Sequence, residues 1–464
     1  MSHRDIHIDF NNCIDPEGKT GISDADLEGA LPQWLQVHRA LHAMAEMGQI
    51  QFTHLPYLEG SIDDIQIRAA AIADRFDHLV VLGIGGSALG AEAIQEACLG
   101  SVVPGEARPG QKKLTVLDTL DPDYLSRFLD SLDLEKTAFN VVSKSGNTVE
   151  TMSQFLIVYD RLKKSLGEKN FRSHLIMTTD PEQGALRRLC REENLESFEI
   201  LKGVGGRFSV LSPVGLFPAA FLGISIQELT EGARHMDRRC QLEDLWTNPA
   251  AMLSLVVWLL HQKKSCNQWV VMNYSENLRS TQDWFGQLVA ESLGKEKSLE
   301  GKIVNAGITP ILSSGPRDQH SQVQLYSEGP RDKMVMFWQQ EQFNKDLVVP
   351  EIFSEVDSLG YLGGKKLSDI LYAEMLATEQ ALKEAGVPNF KMTVLQSDAY
   401  SLGQIFYLYE VSTVYLGGLL NVNPYDQPGV ELGKKYIYGK LGRQGYEEYA
   451  GILGRKLKDK RYLV

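Results

Sequence analysis

Leu79-Val80-Val81-Leu82-Gly83-Ile84-Gly85-Gly86-Ser87 joins a continuous apolar run to a glycine-rich turn. A short apolar run bounded by glycine is typical of a strand that is buried on both faces of a parallel sheet. The residues that follow, 88–98, predict a helix. This stretch therefore predicts a strand, a tight turn and a helix, which is the repeating unit of α/β sheets.

The alternation of strand and helix patterns continues on both sides of this turn, and it predicts an α/β fold in two blocks. In the first block the predicted strands are 79–82, 114–117, 139–142 and 174–177, and the predicted helices are 63–76, 88–98, 122–129, 148–162 and 183–190. In the second block the predicted strands are 268–272, 333–338 and 391–395, and the predicted helices are 250–261, 282–293, 367–385 and 399–420. We further predict a helix over 32–47, a hinge over 203–215 and a helical stretch from Pro428 onward.

The composition of the 464-residue chain excludes several classes of protein. A formal net charge of -13 disfavours a nucleic-acid binder, which usually presents a basic face. The amino-terminal residues lack the apolar core of a signal peptide, and the richest apolar run, 211–224, is shorter than the roughly 20 residues that span a bilayer. Five widely spaced cysteines predict reduced thiols. We expect a cytoplasmic protein without nucleic-acid or membrane partners.

The turn at 83–87 has the properties of a phosphate-binding loop. Its glycines allow a sharp turn that presents backbone N–H groups, and the N-terminus of the following helix favours an anion. A dinucleotide site is the alternative, because Gly83, Gly85 and Ala88 satisfy the loose G-x-G-x-x-G/A pattern. Asp118, at the end of the next predicted strand, lies where a ribose-binding carboxylate would be expected.

A second polar segment, Ser143-Lys144-Ser145-Gly146-Asn147-Thr148, also follows a predicted strand and opens a helix. Three hydroxyls, a side-chain amide and a glycine backbone at a helix N-terminus suit a terminal phosphate group. The alternative is a capping arrangement in which Thr148 caps the helix and Glu150 or Thr151 lies in its first turn. A dinucleotide fold has no need of a second phosphate loop, so the pair of loops favours a small phosphorylated metabolite as the ligand.

Two candidates for acid–base chemistry lie in the second block. Glu291 is on the predicted helix 282–293, where its spacing from Leu288 and Trp284 puts it on their apolar side. A carboxylate in that position is either paired with a cation or used as a general base. His320 stands among amides and a carboxylate, which can hold one tautomer for acid–base work, and a surface histidine is the alternative.

Further candidates lie beside glycines. Arg207 is either a structural anchor or a group that stabilises negative charge on a substrate oxygen. In the segment 426–434, Asp426 is a predicted N-cap, and Gln427 and Lys434 fall on one side of the predicted helix. Lys434 is either an active-site cation or a lysine that offsets the negative C-terminal end of the helix.

In chain order these segments resemble the glucose-6-phosphate isomerase family, in its short bacterial form, over about residues 30–440. The sequences Gly-Gly-Arg-Phe-Ser at 205–209 and Asp-Gln-Pro-Gly-Val-Glu-Leu-Gly-Lys at 426–434 are highly specific for the family, whereas the turn at 83–87 alone is not. The segments that carry the resemblance are 83–87, 143–148, 205–209, 287–295, 318–321 and 426–434.

The resemblance implies an α/β architecture of two sugar-isomerase (SIS) domains, each a parallel sheet flanked by helices, with helical arms at both ends. The implied divisions are an N-terminal arm (1–60), a first SIS domain (61–205), a connecting segment (206–245), a second SIS domain (246–425) and a C-terminal helical arm (426–464). The resemblance also implies a homodimer with shared active sites, a sugar phosphate as the small-molecule partner, and neither an organic cofactor nor a metal.

The resemblance further implies roles for individual residues. Glu291 matches the base that moves a proton between C2 and C1 through a cis-enediol, and His320 matches a ring-opening residue supplied by the neighbouring subunit. Lys434 matches a lysine near the ring oxygen, Arg207 the arginine that stabilises the enediolate, and Gln427 a substrate contact. The residues that match the phosphate-binding and sugar-binding loops are Gly86, Ser87, Ser143, Lys144, Ser145, Asn147 and Thr148.

The activity that the resemblance implies is the reversible isomerisation of glucose 6-phosphate and fructose 6-phosphate, in glycolysis and gluconeogenesis. One alternative is a non-catalytic sugar-phosphate sensor built on the same domains, but the presence of both Glu291 and His320 counts against it. The other alternative is a nicotinamide-dependent oxidoreductase, which a change in absorbance or fluorescence on adding NAD(H) would reveal.

Overall fold

The computed structural model describes residues 4–17, 19–101, 110–454 and 462. Within these residues the strands form two five-stranded sheets and one two-stranded ribbon. The strands are β1 (His7–Asp9), β2 (His78–Leu82), β3 (Lys113–Leu117), β4 (Thr137–Val142), β5 (Leu175–Thr179), β6 (Glu196–Glu199), β7 (Gln268–Asn273), β8 (Lys295–Lys297), β9 (Ile303–Ala306), β10 (Thr309–Ser314), β11 (Lys333–Gln340) and β12 (Asn389–Val394).

The first sheet has the strand order β3-β2-β4-β5-β6, and all neighbouring strands are parallel. Strands β2 and β4 lie side by side, with Leu82 opposite Val141. The apolar residues of both strands are buried, as expected for central strands that are covered on both faces. Because the carboxyl ends of β2 and β4 meet at one edge, the turn at 83–87 lies next to the segment at 143–148.

The second sheet has the strand order β1-β12-β11-β7-β10. Strands β12, β11, β7 and β10 run parallel, whereas β1 comes from the N-terminal region and pairs antiparallel with β12 at the edge. The ribbon is formed by β8 and β9, which are antiparallel. The order of the strands shows that both sheets are built from crossover connections, as the alternation in the sequence predicts.

Helices flank both sheets, and a buried apolar cluster includes residues from each sheet. The predicted fold class, α/β with two largely parallel sheets flanked by helices, is confirmed, while the domain boundaries stay a prediction. The helices are α1 (Asp24–Glu46), α2 (Glu59–Ala73), α3 (Leu89–Leu99), α4 (Pro122–Asp130), α5 (Val149–Leu166), α6 (Ala185–Glu192), α7 (Pro213–Phe221), α8 (Ile226–Cys240), α9 (Pro249–Lys264), α10 (Arg279–Leu293), α11 (Gly315–Gln319), α12 (Val323–Glu328), α13 (Asp357–Gly360), α14 (Leu367–Glu384), α15 (Ala399–Leu419), α16 (Glu431–Lys440) and α17 (Glu447–Gly454).

The predicted start of the first helix, at residue 32, is wrong. Helix α1 begins at Asp24, because Ser23 and Asp26 form a reciprocal capping box. The Ser23 hydroxyl accepts a hydrogen bond from the Asp26 amide, and the Asp26 carboxylate accepts one from the Ser23 amide. Pro32 therefore lies inside the helix and does not begin it.

The predicted hinge over 203–215 is also wrong for most of its length. Residues 207–222 are buried, and the segment contains a single 3-10 turn at Gly206–Phe208 followed by the start of α7. Gly215 packs so closely that a Cβ atom there would collide with the Val210 carbonyl oxygen. Gly215 permits close packing in the core, so it does not mark a flexible connection, whereas Gly203 and Gly206 are exposed.

The strands that the sequence pattern missed lie mainly at sheet edges. Strand β6, Glu-Ser-Phe-Glu, is at one edge of the first sheet, and β10, which contains Pro310, is at one edge of the second. An edge strand needs no continuous apolar run and tolerates proline, so its pattern is weak. The predicted helices and strands other than the first helix are present within the described residues, with ends shifted by a few residues. The part of the predicted helical stretch from Pro428 that falls on 455–461 and 463–464 lies outside the described residues.

Helix α15, predicted from the sequence over 399–420, is a core helix. It packs against α8, α9 and α10, and nearly all of its residues are buried. Among the helices that the structure describes, none combines the length and apolar composition needed to cross a membrane.

Glu410 in helix α15 is 0% exposed, and its carboxyl oxygens have no hydrogen-bond partner within the described residues. Burial raises the pKa of Glu410 well above its usual range.

Replacing this carboxyl by an apolar group is expected to stabilise the protein. Glu410→Met keeps an unbranched side chain and removes the unpaired polar atoms, so the free energy of unfolding at pH 8 should rise by about 1–3 kcal/mol. The folded-state pKa of Glu410 lies above the unfolded value of about 4.3, so the wild type loses stability as the pH rises above that value. The gain should therefore be larger at pH 8 than at pH 5 in urea unfolding.

The matched control is Glu384→Met, which removes an exposed carboxylate at the end of α14. It should change the free energy of unfolding by less than about 0.5 kcal/mol at either pH. A Glu410→Met protein that is less stable than the wild type at pH 8 would show that the buried carboxyl makes a stabilising interaction.

Candidate active site

A cavity of about 410 Å³ lies where the two loops of the first sheet meet α10 and the C-terminal segment. Most of the residues singled out in the sequence line it, although they come from segments far apart in the chain. The predicted site residues that line this cavity are Gly86, Ser87, Ser145, Asn147, Thr148, Arg207, Glu291, Gln427 and Lys434.

The turn at 83–87 forms one wall of the cavity. Glycine is required at Gly85 and Gly86 because neighbouring segments approach the backbone closely there. Gly85 has φ +58, and a Cβ atom there would lie 2.7 Å from Nε2 of Gln287 on α10. A Cβ atom at Gly86 would collide with the carbonyl oxygen of Gly206. The turn therefore packs directly against both α10 and the segment that carries Arg207.

The segment at 143–148 forms the opposite wall at the N-terminus of α5. The Ser143 hydroxyl lies 3.1 Å from the Thr148 hydroxyl and accepts a hydrogen bond from the Gly146 amide. The Asn147 amide donates to the Ser145 hydroxyl at 3.2 Å. Thr148 is the N-cap residue of α5, but its side chain makes no capping hydrogen bond. The structure therefore does not show the capping arrangement that is the alternative to a phosphate site. Because the Thr148 side chain does not cap the helix, backbone N–H groups at the N-terminus of α5 can bind an anion in the cavity.

Two of the predicted binding residues lie behind this wall. Ser143 is buried and braces Thr148, as described above. The Lys144 ammonium donates to the Val204 carbonyl at 2.6 Å, and burial lowers the pKa of Lys144. Neither residue lines the cavity, so each acts on the shape of the loop from behind.

Glu291, near the C-terminal end of α10, faces the cavity, while Leu288 and Trp284 are buried behind it. Its side chain is 36% exposed, and Oε2 lies 3.2 Å from Nη1 of Arg207. Oε1 accepts a hydrogen bond from Gln287 Nε2 at 3.2 Å. The carboxylate is thus both ion-paired and open to the cavity. Pairing with a cation and use as a general base, the two alternatives from the sequence, are therefore compatible.

Arg207 is an anchor between α10 and the C-terminal segment. Its side chain is only 2% exposed, and burial lowers its pKa, an effect that the Glu291 charge opposes. Its Nε donates to the Ser292 hydroxyl at 2.7 Å, and Nη1 donates to Gln427 Oε1 at 3.0 Å. Its Nη2 donates to the carbonyls of Pro424 and Asp426. One guanidinium therefore positions both Glu291 and Gln427.

The C-terminal segment brings Gln427 and Lys434 to the cavity, but not by the predicted cap. Asp426 accepts a hydrogen bond from Asn423 Nδ2 at 2.9 Å, and a 3-10 turn at Pro428–Val430 comes before α16. Lys434 is near the beginning of α16, so it does not offset a helix C-terminus. Its Nζ lies 2.7 Å from Glu431 Oε1.

His320 lies outside this cavity. It is exposed and follows directly after α11, in the second block. The neighbouring Asp318 carboxylate accepts hydrogen bonds from the Ser314 amide at 2.6 Å and the Ser321 hydroxyl at 2.7 Å. Asp318 therefore holds the turn together and does not orient the histidine ring, in contrast to the expectation from the sequence.

Gln287 and Lys295, which are not among the site residues predicted from the sequence, lie four residues before and four residues after Glu291. The Lys295 ammonium donates to the Glu291 carbonyl at 2.5 Å and lies 3.8 Å from the Asp426 carboxylate. Burial, and then the charge of Arg207, lower the pKa of Lys295 to about 8. The spacing of four residues on either side of Glu291 was the signal that could have identified both.

A comparison with family models matches residues 66–442 to the family described as phosphoglucose isomerase. The chain belongs to the phosphoglucose isomerase family. The resemblance recognised from its motifs is thereby confirmed, because the match covers most of the chain and includes every segment quoted above. The same match extends over the cavity around Glu291 and over both sheets except for strand β1.

Relatives that match nearly the whole chain bear the name of the same enzyme family. The chain is 42% identical to a glucose-6-phosphate isomerase from Carboxydothermus hydrogenoformans, over 99% of either chain. It is 37% identical to one from Rubrobacter xylanophilus, over 95% of this chain and 99% of the relative.

Solved structures agree with the fold. A hypothetical protein, TT0462, from Thermus thermophilus is 35% identical, with a TM-score of 0.84 over 94% of this chain and 100% of that one. A glucose-6-phosphate isomerase from Chlamydia trachomatis is 21% identical, with a TM-score of 0.80 over 96% of this chain and 92% of that one. At that low identity the second likeness shows the fold alone.

Proposed function

We propose that this chain catalyses the reversible isomerisation of glucose 6-phosphate and fructose 6-phosphate, an aldose–ketose isomerisation in glycolysis and gluconeogenesis, in the cavity around Glu291. The assignment of this activity rests on membership of the phosphoglucose isomerase family. The observation that supports its location is a carboxylate held by Arg207 and Gln287 in a cavity whose opposite wall is the N-terminus of α5. The group proposed for acid–base chemistry and the groups proposed for phosphate binding thus lie on different walls of the cavity.

The phosphate group of the substrate is assigned to the wall at the start of α5. Ser145, Asn147 and Thr148 line the cavity there and offer hydroxyl and amide donors. The dipole of α5 places a partial positive charge at the same end. The side-chain amide of Asn147 can donate to a phosphate oxygen, as the hydroxyls do.

The proton transfer is assigned to Glu291. Its carboxylate takes the proton from C2 of the open-chain aldose, which gives a cis-enediol, and returns a proton to C1 to give the ketose. No electron leaves the sugar, so the step needs no redox partner. Arg207, next to the carboxylate, stabilises the negative charge that develops on the enediolate oxygens. Gln427 and Lys434 border the same space and are assigned to the sugar hydroxyls and the ring oxygen.

A coupled assay with the purified chain tests the proposal. The purified chain should convert fructose 6-phosphate to glucose 6-phosphate without any added metal or nucleotide, and the coupling dehydrogenase and its nicotinamide nucleotide are added only afterwards, to measure the glucose 6-phosphate formed. NAD(H) added to the chain without the coupling enzyme should give no change in absorbance or fluorescence. A folded protein that binds fructose 6-phosphate but forms no glucose 6-phosphate would support the sensor alternative. Oxidation or reduction of the sugar in the presence of NAD(H) would support the oxidoreductase alternative.

We further propose that the chain acts in the cytoplasm as a homodimer in which His320 completes the active site of the partner subunit. His320 is exposed and lies away from the cavity of its own chain. Apolar side chains in the segment 347–361 are also exposed, which suits a surface covered by a second copy. These side chains are Leu347, Val348, Ile352, Phe353, Val356, Leu359 and Tyr361.

Mixing two inactive variants tests the shared site. Glu291→Gln and His320→Ala proteins, each inactive alone, should together recover about a quarter of wild-type activity after subunit exchange. About half of the dimers are then hybrids, and each hybrid has one site with both defects and one site with neither. Activity is measured by the coupled assay before and after exchange.

Each variant mixed with itself is the control, and exchange is verified by native mass spectrometry with one isotopically labelled partner. Verified exchange without recovery would show that Glu291 and His320 act within one chain. That outcome rejects the shared site and leaves the isomerase assignment standing.

A further inference from the structure

Lys295 lies directly behind the wall of the cavity that carries Glu291. It follows Gly294, the residue that caps the C-terminal end of α10, and it is the first residue of β8. Its side chain is only 4% exposed, and it does not line the cavity around Glu291. A buried ammonium has lost most of its hydration, so its contacts with the protein must offset a substantial desolvation free energy.

The Lys295 ammonium contacts two of the segments that form the site. Its Nζ donates a hydrogen bond at 2.5 Å to the carbonyl of Glu291, in the last turn of α10, where carbonyls lack partners within the helix. The same Nζ lies 3.8 Å from Oδ1 of Asp426, in the C-terminal segment. Lys295 therefore connects the end of α10 with the residue that precedes Gln427.

Capping of the helix is the simpler explanation for this lysine, because cations commonly offset the partial negative charge at a helix C-terminus. Lys263 lies in such a position in the last turn of α9, and its side chain is 48% exposed. Capping does not require a buried ammonium next to a second cation. Burial, and then the charge of Arg207, lower the pKa of Lys295, while the charges of the carboxylates of Asp426 and Glu291 favour its ammonium form. Capping alone therefore does not explain where this side chain lies.

Asp426 is the residue on which both cations converge. Its carbonyl accepts a hydrogen bond from Nη2 of Arg207 at 3.1 Å, and Oδ1 of its carboxylate faces Lys295. The other carboxylate oxygen, Oδ2, accepts a hydrogen bond from Asn423 at 2.9 Å. Gln427 follows Asp426 directly and lines the cavity, so a displacement of Asp426 would displace Gln427 as well.

We propose that Lys295 is a positioning residue that holds the backbone of Glu291 and the C-terminal segment at a fixed separation. It acts through Glu291 and Asp426, and it does not touch the substrate. This inference rests on the isomerisation proposed for Glu291. A displacement of about 1 Å can lower a rate by roughly 10²-fold, so the link should affect kcat. The phosphate group is assigned to the opposite wall, at the start of α5, so KM should change much less.

Lys295→Met in the full-length chain tests the link. Methionine keeps an unbranched apolar side chain and removes the ammonium, which is charged at pH 7 because the pKa of Lys295 is about 8. At pH 7, kcat for fructose 6-phosphate should fall at least about tenfold, and KM should change less than about threefold. The matched control is Lys297→Met, which removes an exposed lysine from the same strand and should keep kcat within about twofold. Equal kcat in Lys295→Met and the wild type would overturn the inference.

A double-mutant cycle with Asp426→Asn distinguishes positioning from capping. Asp426→Asn alone should lower kcat at least about fivefold, but it should change kcat less than about twofold when Lys295→Met is already present, because both substitutions break the same link. A lysine that only caps α10 gives independent effects, and a double variant that loses the product of the two single losses would therefore overturn the inference. If Lys295→Met does not fold, Asp426→Asn decides alone, and an unchanged kcat in that variant would reject the link.

Hydrogen exchange gives a readout that does not depend on activity. At pH 7 the amides of residues 423–430 should exchange at least about fivefold faster in Lys295→Met than in the wild type, whereas those of α3 should exchange equally in both proteins. Equal exchange of 423–430 in the two proteins would contradict a positioning role. A wild-type chain that forms no glucose 6-phosphate would instead refute the isomerase assignment, and the exchange rates would still decide whether Lys295 holds the segment.

Discussion

Glu291→Gln is expected to abolish isomerisation while sugar-phosphate binding survives. The amide keeps the size and one hydrogen-bond acceptor of the carboxylate, but it cannot take the proton from C2. The loss should appear in kcat and exceed the roughly 10²–10⁴-fold that is typical of one general acid–base group. The coupled assay gives kcat, and a titration with fructose 6-phosphate gives the affinity.

The structure adds a requirement for this experiment. Glu291 is the carboxylate partner of Arg207, whose buried guanidinium has four further acceptors around it. The melting temperature of the variant must therefore be compared with that of the wild type, since a buried charge that loses its partner can destabilise the fold. Glu150→Gln is the matched control, because Glu150 lines the same cavity at the start of α5. A folded Glu291→Gln protein with activity within a few-fold of wild type would exclude Glu291 as the base.

Arg207→Lys is expected to give the second largest loss. Lysine offers three donors from one atom, whereas the guanidinium reaches Ser292, Glu291 and the C-terminal segment from three nitrogens. The variant should lose the stabilisation of the enediolate and the position of Gln427 together. We expect kcat to fall by at least about 10²-fold, the usual effect of removing one charge-stabilising donor, and KM to rise less.

Arg279→Lys is the control for this substitution, because Arg279 is exposed at the beginning of α10, the helix that carries Glu291, and pairs with Glu276. It should keep kcat within a few-fold of wild type. A change confined to KM in Arg207→Lys would make Arg207 a ground-state contact. A lower melting temperature with an unchanged kcat would make it a structural anchor alone.

The sequence by itself determined the fold class and the two loops of the cavity. Buried runs such as 79–82 and 139–142 have only one stable setting, the centre of a covered parallel sheet, so the polar segments after them must meet at one edge. The motif at 287–295 also marks Glu291 as a candidate base, although it does not reveal the contacts of Glu291 with Arg207 and Gln287. These signals are local, because each depends on residues within about one or two turns of each other.

Only the tertiary structure decided which of these residues meet. Arg207 contacts Ser292 and Gln427, which are 85 and 220 residues away in the chain, and no local pattern encodes such contacts. It also separated Ser145, which faces the cavity, from Lys144, which turns behind the wall to Val204. Burial and hydrogen-bond partners depend on packing between distant segments, so a linear sequence indicates which groups are available but not which of them share one cavity.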